Sequence, residues 1–395
     1  MDKNLIFILK VIAAVMDGKE LPKVQSDIDW KIVFNLCQQH NITSIVAHGI
    51  VSKEYTNVPP EVKKAFSDTL FLNIVKDEKQ KNEIKRISQA FTNEKLKFMP
   101  LKGIILKSIY PSSDMRTMGD IDILVDIDSM QKYCKVMENL GYTFVKDKEN
   151  EVSYKNTSAL IELHRYLITP GNDDMFSYYE TGWNIAKQSE DSECKYILGK
   201  EDEFVYLICH FVKHYRNAGC GIKPLIDMGL YMNKFELDMN YINTQLEKMN
   251  LLKFVDNLYR LIRVWFEDEP WDELMVEMTN YIVASAEFGN TLNQAAAESL
   301  RDRAENKKQA KIFIYLSRIF LNKKGMKIKY PILNKLPFLL PVMWVWRIIE
   351  TIIFKRNKIA ENRQAVNNRM GENVDRLSKH MDMVGLDIYN GRKNK

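Results

Sequence analysis

Two carboxylates stand one residue apart in Met118-Gly119-Asp120-Ile121-Asp122-Ile123-Leu124-Val125. On a β-strand, residues two apart project from one face, so Asp120 and Asp122 point together while Ile121, Ile123 and Val125 face a core. Carboxylates held that close repel each other unless a cation lies between them. Magnesium suits that position, because it takes hard oxygen ligands and keeps water and phosphate oxygens in the rest of its shell; manganese is the alternative. A solvated strand end also reads D-x-D, and the pair alone does not separate the two readings.

The neighbours of the pair carry more. Upstream, Met99-Pro100-Leu101-Lys102-Gly103 reads as a strand that enters a turn and then a helix, where free backbone N–H groups can meet a phosphate. Tyr110-Pro111 follows, and then Arg116, whose guanidinium can offer a phosphate two parallel hydrogen bonds. Downstream, Ala159-Leu160-Ile161-Glu162-Leu163-His164 puts Glu162 and His164 on one strand face and Leu163 on the other. Glu162 is a third carboxylate; His164 reads either as a packed strand histidine or as a support for the acids. His210 and His214, four apart, share a helix face with Lys213 and Arg216 nearby, at the border of the apolar stripe Phe204/Ile208/Phe211/Tyr215. No Glu fills an H-E-x-x-H position and no third ligand is evident, so zinc is the weakest reading. Packing or capping histidines and contacts to a ligand both stay open.

The elements that must hold these residues follow from periodicity. Residues 1–95 are helical in pattern, with apolar positions three and four apart, as in Ile32, Val33, Leu36 and Cys37, and Pro59-Pro60 marks a loop. Short apolar runs at 96–99, 120–125, 142–145, 152–155 and 159–163 read as five strands, with helices at 103–110 and at 128–140, the latter capped by Asp128 and ended by Gly141. Helices return at 201–217, 224–234, 241–266, 271–288 and 304–320. The expected fold class is therefore α+β: a small mixed-sheet core at 96–170 between an N-terminal helical region (1–95) and a C-terminal one (171–325), with a basic aromatic helix and polar tail at 326–395.

With LKG before a helix, then YP, an arginine, MGDIDILV and IELH, the chain resembles the uncharacterised nucleotidyltransferase family within the DNA polymerase beta-like superfamily. The resemblance spans about residues 36–230 and is strongest over 101–125. It implies a compact sheet on which a glycine turn, a D-x-D strand and a third acidic strand build a two-metal site, and transfer of a nucleoside monophosphate from a nucleoside triphosphate to a hydroxyl acceptor with release of pyrophosphate. By that resemblance Asp120, Asp122 and Glu162 are the catalytic, magnesium-binding acids, and Glu162 also serves as general base. Lys102, Gly103 and Gly119 hold the triphosphate, and Arg116 offsets charge at the reacting phosphorus. His164, His210, His214 and Asp227 are the supporting residues. The acceptor, whether small molecule, protein side chain or RNA end, is not specified.

Composition sets the limits. With 395 residues and 46% apolar content the chain can build a sizeable core, and a net charge of +5 argues for no polyanionic partner by itself. The excess is local: nine Lys and Arg against Glu350 give residues 323–358 a charge of +8, leaving −3 elsewhere. Cys37, Cys134, Cys194, Cys209 and Cys220 form no C-x-x-C pair, which fits a reducing cytoplasm and argues against a disulfide framework. The N-terminal apolar run is interrupted by Lys10 and lacks a small-x-small cleavage site, so it reads as an amphipathic first helix. The stretch 336–354 contains Arg347 and Glu350 and two prolines near its start, so a buried helix from Pro341 is favoured over a span. Its competitor is an interfacial helix, with Trp344 and Trp346 at headgroup level and residues 326–358 against anionic lipid. A second function follows from that competitor: a non-catalytic nucleotide-binding scaffold, peripheral at the inner membrane surface.

Overall fold

The structure is a computed structural model that describes residues 1–304, apart from 52–54, 56, 171 and 288, together with 343 and 372–388. Four helices come first: α1 (Lys3–Asp17), α2 (Trp30–Gln39), α3 (Thr43–Ile50) and α4 (Pro60–Asn93). Asp2 and Asp29 cap α1 and α2 by accepting from backbone N–H groups of the first turn, and Pro60 opens α4, where its missing N–H leaves no helical bond unmade.

The sheet holds five strands: β1 (Phe98–Pro100), β2 (Ile121–Val125), β3 (Thr143–Asp147), β4 (Glu151–Lys155) and β5 (Leu160–His164). Their spatial order is β1-β2-β5-β4-β3, in which β2 and β5 run parallel and every other pair is antiparallel. All five expected strands are present within about two residues of their expected limits. Between β1 and β2 lie α5 (Gly103–Leu106) and two short 3-10 turns; α6 (Met130–Asn139) joins β2 to β3. After β5 come α7 (Asp173–Tyr179), a two-stranded ribbon of β6 (Lys187–Gln188) and β7 (Tyr196–Ile197), and then α8 (Lys200–Asn217), α9 (Lys223–Lys234), α10 (Met239–Lys248), α11 (Leu252–Phe266), α12 (Glu273–Ser285) and α13 (Thr291–Ala304). A further helix occupies 372–384.

The period-two pattern divides the sheet as its sequence requires. Ile121, Ile123, Val125, Ile161 and Leu163 face a core closed by Ile87 and Phe91 of α4 and by Tyr133, Val136 and Met137 of α6. On the opposite face Met99 and Leu124 join a second, larger core. That core contains Ile8 and Ile12 of α1, Val46 of α3, Phe204 and Phe211 of α8 and Phe254 of α11, so helices from both ends of the chain share one interior. The described helices of 1–95 and of 173–304 are thus contiguous in space, although the sheet separates them in sequence.

Several expected elements differ. The helix expected over 103–110 is one α-turn followed by a 3-10 turn at Lys107–Ile109, because Lys107 is drawn into a buried ion pair with Asp77 of α4. Asp128 caps nothing; Asp126 accepts from the Asp128 N–H and starts a 3-10 turn that leads into α6. The single helix expected over 241–266 is broken into α10 and α11 at Asn250, whose φ of 56° is a left-handed conformation that asparagine tolerates. The last expected helix, 304–320 (apart from Ala304, which ends α13), the basic aromatic stretch other than residue 343, and part of the tail lie outside the described residues. Among the described residues no helix is long and apolar enough to cross a membrane.

Phe91 is fully buried, edge-on to Phe98 and Tyr133 at ring-centroid distances of 5.7 and 5.1 Å. Phe91→Ala should lower unfolding stability by about 3–5 kcal/mol. Urea titration should show an earlier midpoint at unchanged slope, and a loss below about 1 kcal/mol would contradict this account of the sheet core.

Candidate active site

Parallel pairing of β2 with β5 sets Asp122 directly beside Glu162, and antiparallel pairing of β5 with β4 sets Ser153 on the other side of Glu162. His164, two residues on, shares the face. Asp122, Glu162 and His164 bring ligand-type atoms within 4.8 Å of one another, the one such group of three among the described residues. His164 Nε2 is 2.7 Å from Asp122 Oδ1 and 3.9 Å from Glu162 Oε2, and its Nδ1 is 3.2 Å from Asn150 Nδ2. Ser153 donates to Glu162 Oε1 at 3.3 Å, and Lys146 lies 3.3 Å from the same oxygen and 2.8 Å from Glu151.

Lys102 faces this cluster from the β1–α5 turn. Its ammonium donates to Asp122 Oδ2 at 3.3 Å, and its backbone is left-handed at φ 47°. Gly103 next to it makes room for the Met118 side chain, whose Sδ and Cγ a Cβ there would displace. Gly119 has a different part: a Cβ added there meets nothing within 4 Å, so it is an open, exposed approach in front of Asp120.

Burial raises all three acids, and their neighbours decide the outcome. Enclosure opposes the Asp122 charge, but Lys102 and His164 outweigh it and hold this carboxyl well below the usual range. Asp120 lies outside the tight cluster, and burial followed by the charge of Asp122 pushes it up. Glu162 is also raised, by burial and then by Asp120, Glu151 and Asp122. The three acids therefore carry unequal proton affinities, low at Asp122 and raised at Asp120 and Glu162 on either side of it.

Arg116 departs from expectation. It is 8% exposed, and its guanidinium is spent on Asp227 of α9, Nε to Oδ1 and Nη2 to Oδ2, both at 2.8 Å, while Nη1 reaches the Thr117 carbonyl at 3.4 Å. Tyr110 donates to Asp227 Oδ1 at 2.7 Å, which completes a buried triad. Arg116 therefore has no fork left for a phosphate, and Asp227 anchors the loop rather than meeting a ligand. The short α5 likewise offers little of a helix N-terminus to an anion.

One face of α8 looks onto the site. Glu203, Tyr206, His210 and Lys213 recur at intervals of three and four, on a different face from the apolar stripe of Phe204, Ile208, Phe211 and Tyr215. Half-buried His210 has its Nε2 3.1 Å from Nε2 of His214, which is exposed, and burial with the Lys102 charge pushes His210 well below the usual imidazole range. Burial and then Lys102 bring Lys213 down to about 8, although Asp122, Glu151 and Glu162 pull the other way. Glu203 is 2% exposed and enclosure pushes it up to about 8. Sequence reading missed Glu203 and Tyr206 as site-facing residues, although their spacing carried the signal. Asn150, Ser153 and Lys146 had no such signal, because the β3–β4 hairpin and its register alone bring Asn150 to His164 and the other two to Glu162.

The model of the uncharacterised nucleotidyltransferase family matches residues 26–267, more than half of the chain. The chain belongs to that family. The match covers the whole sheet and α2–α11, and with them every acid, Lys102 and the site-facing stripe of α8. Membership makes the chain a transferase that moves nucleotidyl groups and takes a nucleoside triphosphate. No curated protein and no solved structure matches it.

Two measurements probe this frame. Asp227→Ala strands a buried guanidinium and should cost about 3–5 kcal/mol of stability, whereas the double change Arg116→Met, Asp227→Leu should recover most of it in a denaturant titration. A single variant as stable as the parent would refute the anchoring role. For Glu203, the folded state binds the proton more tightly than the unfolded chain, so stability falls as pH rises from about 4.5 towards 8. Glu203→Gln should therefore gain on the parent over that window and hold a constant lead above it; a lead that ignores pH would contradict the burial assigned to this carboxyl.

Proposed function

We propose that the chain is a magnesium-dependent nucleotidyltransferase that moves a nucleoside monophosphate from a nucleoside triphosphate to a hydroxyl of an acceptor and releases pyrophosphate. The observation that carries the reading is the placement of Asp122 and Glu162 side by side on parallel strands, with Asp120 at the strand entrance and Lys102 facing Asp122.

The donor set fits a divalent ion. Asp122 and Glu162 supply the hard oxygens magnesium takes, and His164 adds a nitrogen that manganese also accepts. As placed, Asn150 Nδ2 donates to His164 Nδ1 at 3.2 Å and Nε2–H meets Asp122 Oδ1 at 2.7 Å; Asn150 Oδ1 is buried without a hydrogen-bond partner among the described residues, so a half-turn of the amide would let it accept from Nδ1–H and free Nε2 for a cation. When bound, the ions would neutralise charge on the triphosphate and on the leaving oxygens.

The chain's own residues then divide the work. Asp122, ionised by its neighbours, is a ligand at any ordinary pH. Glu162, with its raised proton affinity, accepts the proton of the acceptor hydroxyl. Ser153 and Lys146 fix its carboxylate, and His164 with Asn150 fixes Asp122. Gly119 leaves the approach to Asp120 free of side-chain atoms.

Incubation with each of the four α-labelled nucleoside triphosphates, magnesium or manganese and a lysate of the host cell should label an acceptor. Asp120→Asn and Asp122→Asn should each lower that labelling at least ~100-fold. Equal labelling by parent and variants, or none with any nucleotide, would sink the reading.

A further inference from the structure

The site as built leaves its anionic substrate short of cations. Arg116 is committed to Asp227, Lys102 to Asp122, Lys146 to Glu151 and Lys223 to Glu287. Lys213 differs from all of them. It makes no ion pair with any described residue, and its one hydrogen bond is to Thr169 Oγ1 at 3.4 Å, in the loop that follows β5. It is half-buried on α8, held by the loop after the strand that carries Glu162, and it lies in the field of Asp122, Glu151 and Glu162. A desolvated ammonium without a counter-ion is unfavourable in a fold unless something else supplies the negative charge. The imidazoles of His210 and His214 stand on the same helix and add neutral ring nitrogens beside it.

We propose that Lys213 is the cation that receives the triphosphate of the substrate, on the α8 side of the site across from the carboxylates, in the role that the locked Arg116 does not fill. The proposal rests on the nucleotidyltransferase reading above and adds to it the residue that grips the anion. An ammonium is a point charge with three rotatable donors, so Lys213 needs no fixed phosphate orientation, which suits a group whose geometry changes as pyrophosphate departs. The polar stripe of α8 then has a shared purpose: it forms the wall against which the phosphate chain lies, while the sheet supplies the acids.

Equilibrium dialysis of the full chain tests this, with labelled nucleoside triphosphates in calcium buffer so that turnover does not obscure binding, and with the corresponding nucleosides for comparison. Lys213→Met should weaken triphosphate binding roughly 10–100-fold, the value of one charge-assisted contact. Lys213→Arg should restore most of it, and nucleoside binding should not change. Removal of an unpaired, desolvated charge should leave the melting temperature unchanged or higher, which separates a lost ligand contact from a damaged fold. Triphosphate binding by Lys213→Met equal to the parent's, or a loss shared equally by nucleosides, would overturn the inference and leave the transferase reading standing. No triphosphate binding by the parent, with calcium, magnesium or manganese, would overturn both.

Discussion

The register between β2 and β5 is the constraint that the site depends on. Parallel pairing puts Asp122 and Glu162 at the same level on adjacent strands, within one polar strip of a sheet whose other face is apolar. Two carboxylates at neighbouring-strand distance, both shielded from bulk water, oppose folding. The surrounding residues are explained by that cost. Lys102 and His164 take the two oxygens of Asp122, Ser153 and Lys146 share one of Glu162, and Lys146 with Lys148 overcomes the enclosure of Glu151 and brings it down to about 2. A one-residue slip of β5 would turn Glu162 and His164 into the apolar core and Leu163 into the strip, so the hydrophobic pattern and the acid cluster enforce the same register.

The long β1–β2 connection is held just as firmly, and by polar contacts. Lys107 and Ser113 bond to Asp77 of α4, Gln80 of α4 donates to the Met118 carbonyl, Thr117 donates to Asn41 after α2, and Arg116 and Tyr110 converge on Asp227 of α9. Elements from both helical regions thus grip one loop, and that loop delivers Gly119 and Asp120. Buried polar frames of this kind contribute little net stability over an apolar core, but they are intolerant of alternatives, because any misplaced member leaves an unpaired group. The chain uses this intolerance where an error of an ångström matters most.

What the sequence disclosed follows from which forces act locally. Strand alternation is local, so all five strands and the shared face of Glu162 and His164 were legible, whereas Asp120, expected on the strand beside Asp122, stands just before β2 and outside the tight cluster. The resemblance carried by LKG, MGDIDILV and IELH then ordered them into a site. Partners set by tertiary packing were not legible. Arg116 read as a phosphate ligand because nothing near it in sequence reveals Asp227, 111 positions away, as its partner. The helix expected over 103–110 failed because a local apolar period cannot show that Lys107 will be drawn to Asp77. The stripe Glu203, Tyr206, His210, Lys213 lay between these cases: its spacing was visible, but its direction was fixed only by how α8 packs on the sheet.

Lys102 shows how local strain and site chemistry are joined. A non-glycine residue at φ 47° and ψ −109° costs of the order of 1–3 kcal/mol and needs support from both sides. Leu101 N–H donates to the Asp122 carbonyl at 3.0 Å, Leu106 N–H donates to the Lys102 carbonyl at 2.9 Å, and Gly103 leaves room for the Met118 side chain. Those contacts tie the turn to the same residue, Asp122, whose carboxylate the Lys102 ammonium then meets. Backbone and side chain of Asp122 therefore both fix the turn, and moving it would break a ladder-edge hydrogen bond and a buried ion pair together. A relaxed turn with the ammonium elsewhere would leave Asp122 with His164 alone against Asp120 and Glu162. The strained conformation is favoured because the acids make every unstrained one worse.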